Sequence, residues 1–82
     1  MTKAERIQQE IDLRTSEIEQ YEESIERGEF QLSHIASLEE NVAAEMEAFR
    51  QQVEARLAQE RKFVAASRII LASAQAQLDA VQ

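Results

Sequence analysis

His34 is the one histidine of the chain and cysteine is absent, so any chemistry must come from a single imidazole, the carboxylates and scattered hydroxyls. A two-metal carboxylate site on helices takes a Glu three residues before each of two histidines; in this chain Gln31 stands three residues before His34. Nucleophilic catalysis lacks a thiol, and the lone imidazole would need a serine folded onto it. The only glycine is Gly28, so no Gly-rich phosphate loop exists either. Glutamates one turn apart, such as Glu22 and Glu26, are the type of pair that binds a cation weakly, but on an acidic helix they read as a solvated face. Tyr21, Phe30, Phe49 and Phe63 are too widely spaced for a base-stacking platform and read as core. The expectation is a non-enzyme with no catalytic, cofactor or metal site, in which His34 is a turn or helix-end residue.

The elements that carry these residues follow from composition. Eighty-two residues make one domain that buries little apolar surface alone, which favours self-association. Proline and cysteine are absent and Ala, Glu, Gln, Leu, Ile and Arg dominate, the usage of long helices rather than strands. An all-α protein is expected, without a disulfide framework and suited to a reducing compartment. The opening stretch "MTKAERIQQEID" has neither the apolar run nor the cleavage site of a signal peptide, and "IILA" is far too short to span a bilayer. The expected setting is cytoplasmic, with no membrane partner.

The net charge of −7 is unevenly placed. Residues 1–50 hold 13 acids and 5 bases, whereas residues 51–82 hold 3 acids and 4 bases, so the acidity belongs to the first part. Glu17, Glu19, Glu22, Glu23, Glu26 and Glu29 form an acidic surface with like charges three and four residues apart, each such pair costing a few tenths of a kcal/mol. A basic stripe that would release counterions from a phosphate backbone is missing, which disfavours direct nucleic-acid binding.

Stepping alternately by four and three from Ile7 reaches Ile11, Arg14, Ile18, Tyr21, Ile25, Gly28, Leu32, Ile35, Glu39, Val42, Met46, Phe49 and Val53. All but Arg14, Gly28 and Glu39 are apolar, the a/d pattern of a coiled-coil seam. Beyond Val53, Arg56 and Glu60 fall where apolar residues are due, while Leu57, Val64, Leu71 and Leu78 take up a new seven-residue spacing, which predicts a stutter there.

Three arrangements fit this stripe. A single continuous helix would be about 120 Å long. A turn at Gly28 would use the residue type best suited to a helix C-cap, but it would leave a second helix of some 50 residues largely unpartnered. A turn at about 33–40 yields helix 1 at about 3–35 and helix 2 at about 38–81, and "SLEE" from Ser37 to Glu40 has the form of a capping box for the second. The last is preferred: an antiparallel helical hairpin with coiled-coil-type packing. Facing pairs are then Ile35 with Val42, Ile25 with Val53, Tyr21 with Leu57, Ile7 with Leu71, and Gly28 opposite the ring of Phe49.

On a helical wheel Phe63, Val64, Ser67, Ile70, Leu71, Ala74, Leu78 and Val81 fill a broad face of the last twenty residues. Helix 1 offers only Ile7, Ile11 and Leu13 opposite it, so Phe63, Val64, Ile70, Leu71, Ala74, Leu78 and Val81 are expected to form an oligomer or partner interface. The simplest occupant is a second hairpin, giving a homodimeric four-helix bundle. The role expected is a non-catalytic adaptor, regulator or chaperone-like binder of another protein. The alternative is an acidic nucleic-acid mimic that inhibits a DNA- or RNA-binding protein.

Overall fold

A computed structural model describes residues 1–82. The chain is all-helical: α1 spans Lys3–Ala36, α2 Glu40–Glu45 and α3 Glu47–Val81. The long helices α1 and α3 lie antiparallel along a body 60 Å long and 16 by 14 Å across, which excludes the straight rod. Gly28 sits inside α1 with helical backbone, so the chain does not reverse there.

Helix α1 opens on a capping box. The Glu5 amide donates to Thr2 Oγ1 at 3.1 Å, and the Glu5 carboxylate accepts the Thr2 amide at 3.4 Å; two otherwise orphaned donors are satisfied. At its other end the Ser37 hydroxyl donates back to the His34 carbonyl at 2.7 Å. Ser37 therefore closes α1 rather than capping the next helix, and the box expected in "SLEE" is not formed. The N-cap of α2 is Glu39, extended at φ −61° and ψ 149°, with no side-chain cap bond. Met46, at φ −93° and ψ 3°, separates α2 from α3.

The inserted helix α2 changes the register. Gly28 packs on Leu57, Ser24 donates to Glu60 at 2.8 Å, the Tyr21 and Phe63 rings lie 4.4 Å apart, and Ile7 and Ile11 cluster with Ala74, against which Leu71 and Leu78 pack. Numbers of facing residues add to 84 or 85 rather than the 77 or 78 expected, a slide of one heptad. Gly28 accordingly faces Leu57, not Phe49, and Tyr21 faces Phe63, not Leu57. A heptad seam presents the same stripe after every seven residues; the length of the connection decides between the registers.

In α1 the stripe Ile7, Ile11, Arg14, Ile18, Tyr21, Ile25, Gly28, Leu32 and Ile35 holds throughout, with none of the nine exposed. In α3 the seam is Val53, Leu57, Glu60, Val64, Ser67, Leu71, Ala74 and Leu78, also without an exposed member and in one unbroken four-three rhythm. The stutter expected after Val53 is therefore absent. The phase change falls at Met46, where the helix itself is interrupted.

Candidate protein-interaction surface

Two long helices packed side by side leave two open edges, and the edges differ. Along one, Glu22 pairs with Arg68 and Glu29 with Arg61 at 3.5 Å, each bridge joining α1 to α3. Along the other, α3 places Phe49, Arg56, Phe63 and Ile70 in a row at seven-residue intervals. Residues seven apart on a helix return to nearly the same side. Phe49 is 40 % exposed and Ile70 42 %, while Phe63 is half-buried through its contact with Tyr21.

Shallow clefts follow this second edge. One is formed by Phe30, Gln31, Leu38 and Phe49 near the turn, one by Tyr21, Arg56, Gln59 and Phe63 midway, and one by Glu10, Ile69, Ile70 and Gln77 toward the chain ends. Two buried acceptors, Gln31 Oε1 and Glu60 Oε2, lack hydrogen-bond partners, and their residues line the same clefts. The other Glu60 oxygen accepts from Ser24 and lies 3.4 Å from Arg56 Nε.

The residues expected to form a single interface divide. Val64 and Ala74 are buried in the intramolecular seam, Leu71 and Leu78 pack against the Ile7 and Ile11 cluster, and Phe63 lies against Tyr21 with the ring planes tilted by 36°. Ile70 and Val81 remain exposed. The segment of α1 opposite thus covers more of this face than its few apolar residues imply, because Ile7 and Ile11 both point into it. Large apolar residues exposed outside that set are Phe30 and Ile69, each 72 % exposed, and Met1, Leu13, Val42 and Phe49. The seven-residue row is readable in the sequence only once the true seam of α3 is known.

Among the acidic residues, Glu17 pairs with Arg14 at 3.1 Å, while Glu22 and Glu29 pair with Arg68 and Arg61. Glu19, Glu23 and Glu26 are exposed and in no ion pair. The Glu10 and Glu17 carboxylates, bonding to the Arg14 guanidinium, hold its pKa above the ordinary value. This lets a charged residue occupy a seam position with its stem packed and its head satisfied. His34 is exposed and stacks on Phe30, ring centres 6.2 Å apart. No three His, Asp or Glu side chains converge in a way that could hold a metal ion, and no helix is long and apolar enough to cross a membrane.

The surface is large for the mass. A compact monomer of 9.4 kDa exposes about 5,000 Å², whereas the hairpin exposes 6076 Å². The excess, roughly 1,000 Å², is close to the roughly 800 Å² that each partner contributes to a standard interface. No family model, curated protein or solved structure matches the chain.

Proposed function

We propose that this chain is a non-catalytic protein-interaction module: an acidic helical hairpin that pairs into a four-helix bundle and serves as an adaptor, regulator or chaperone-like binder of another protein. The observation that carries this reading is the surplus of exposed surface on a single layer of two helices, with large apolar side chains on one edge. A layer this thin has only one face of each helix inside, and stable architectures bury helix faces against a second layer. Clefts this shallow suit packing by another surface better than enclosure of a small substrate.

The acidic-mimic alternative draws on Glu19, Glu23 and Glu26. Against it, Glu17, Glu22 and Glu29 each lie in ion-pair reach of an arginine of the same chain, Arg14 being shared with Glu10, which thins the anionic row a mimic requires. Sedimentation equilibrium over micromolar concentrations, with thermal melts at the same concentrations, tests the self-pairing: a dimer is expected, with a midpoint that rises with concentration. A monomer that melts identically throughout would remove the bundle. Partner binding that collapses between low and high salt would favour the mimic, because apolar docking is screened little.

A further inference from the structure

We infer that the hydrogen bond from Ser24 to Glu60 is the register key of the hairpin: it holds α3 against α1 in the observed alignment and so keeps residues 40–46 outside the long helices, with α2 as a separate cap at the tip. The inference is independent of the proposed self-association.

A shorter hairpin is open to the same chain. Antiparallel helices are joined by about two to five residues in an αα-hairpin, and Ser37, Leu38 and Glu39 would suffice between Ala36 and Glu40. Residues 40–46 make one heptad, α2 buries no residue, and Met46, at φ −93° and ψ 3°, is the only interruption between α2 and α3. Were Met46 helical, α2 and α3 would be one helix, and α3 would stand one heptad, about 10 Å, further along α1. The apolar stripe accepts that slide: Leu57 would meet Tyr21, Leu71 would meet Ile7, and Met46 would enter the seam beside Leu32. A slide the other way is opposed by burial, since Val53, 3 % exposed, would pass beyond the end of α1.

Glu60 is the seam residue that does not accept the shorter form. Its side chain is 12 % exposed, and one oxygen accepts from Ser24 at 2.8 Å. On α1 the positions that recur at seven-residue intervals beside the seam are Glu10, Glu17, Ser24 and Gln31, so the slide would replace Ser24 by Glu17. A hydroxyl donor would give way to a second carboxylate, and the Arg14 guanidinium that could separate the two is already held by Glu10 and Glu17. Removing the partner of a buried charge is strongly destabilising, and a single polar seam position fixes coiled-coil register at a cost in stability. That cost is visible as the second Glu60 oxygen, buried without a partner. The bridges on the other edge matter less. Glu29 would face Glu54 instead of Arg61, but the Glu29 and Arg61 side chains are each 57 % exposed, where ion pairs contribute little.

Spin-label distances read the register. The chain has no cysteine, so labels go only where cysteines are placed: Ser16→Cys with Gln52→Cys, and Ser33→Cys with Ala66→Cys, all at exposed positions. Labelled chains are diluted into unlabelled ones, so that each distance lies within one chain. The slide would shorten the first distance and lengthen the second, each by up to about 10 Å, whereas a loosened hairpin would lengthen both. The variant that tests the key exchanges two residues, Glu17→Ser with Ser24→Glu, and leaves composition and net charge unchanged. The register is expected to follow the serine, moving the two distances in opposite senses by up to about 10 Å. Both distances unchanged in the exchanged protein would overturn the inference. Should the exchanged protein lose its helical circular dichroism, Glu60→Leu decides. Removal of the key should add a second population at the displaced distances, and a single population at the parent distances would overturn the inference.

Discussion

The position that a Cβ on Gly28 would occupy lies 2.6 Å from Leu57 Cδ2, closer than side-chain carbons approach one another. Leu57 is 1 % exposed, so it has nowhere to swing, and Arg56 Nη2 lies 2.8 Å from the same position. Gly28→Ala gains about 1 kcal/mol of helix propensity but overpacks the seam, typically at 1–3 kcal/mol. The expected outcome is a lower thermal midpoint for Gly28→Ala and a much lower one for Gly28→Val. The penalty should shrink when Leu57→Ala is already present, a coupling that a double-mutant cycle measures. An alanine that stabilises the parent background would show that the helices are further apart than this contact requires.

Glu60 occupies a seam position with its side chain 12 % exposed and one oxygen unpartnered. Replacing such a group by an apolar one of similar size often stabilises. Glu60→Leu should raise stability by about 1 kcal/mol or more, read from chemical denaturation. Ser24→Ala should instead lower it, because it strips the carboxylate of its hydroxyl donor.

Three adjacent residues separate the roles of the C-terminal helix. Ile69 is 72 % exposed and Ile70 42 %, both lining one shallow cleft, and Leu71 packs against the Ile7, Ile11 and Ala74 cluster. Ile69→Glu should leave the melting of the isolated hairpin nearly unchanged, because the side chain makes no seam contact. Ile70→Glu should weaken self-association by about tenfold or more while the isolated hairpin stays helical. Leu71→Glu should unfold the hairpin, since it removes an apolar contact worth about 2 kcal/mol and inserts a charge into the seam. Circular dichroism and sedimentation on the three variants distinguish these outcomes.

Helix α2 begins without a side-chain cap, Glu39 standing where Ser, Thr, Asp or Asn is preferred. Glu39→Ser should slow amide exchange in residues 41–43 and add up to about 1 kcal/mol to the local opening free energy. Unchanged exchange would mean that α2 is held by its neighbours rather than by its own first turn.

The Arg50 guanidinium, hydrogen-bonded to Glu47, holds that carboxyl below its ordinary value of 4.5. A depressed folded pKa means that the pair contributes above the unfolded value and is lost as pH falls through the folded one. The Glu47 carboxyl resonance should therefore titrate below 4.5 in the parent and return to it in Arg50→Gln. A Glu47 that titrates at the ordinary value in both proteins would remove this link at the start of α3.

Composition and heptad rhythm, read from the sequence alone, determined the all-helical class and the α1 seam from Ile7 to Ile35, and made a reversal after that seam the preferred of three arrangements; that Gly28 lies inside α1 came from the structure. Class and seam are local or periodic properties, legible because apolar spacing reports which side of a helix is buried. The tertiary structure decided the register. Pairings one heptad apart bury equivalent stripes, and only the six residues of α2 between Ser37 and Met46 select Leu57 over Phe49 as the neighbour of Gly28. The register in turn decided which surface is left. Once Val64, Leu71, Ala74 and Leu78 turn inward against α1, the exposed row becomes Phe49, Arg56, Phe63 and Ile70, a face that no reading of α3 by itself could separate from its core.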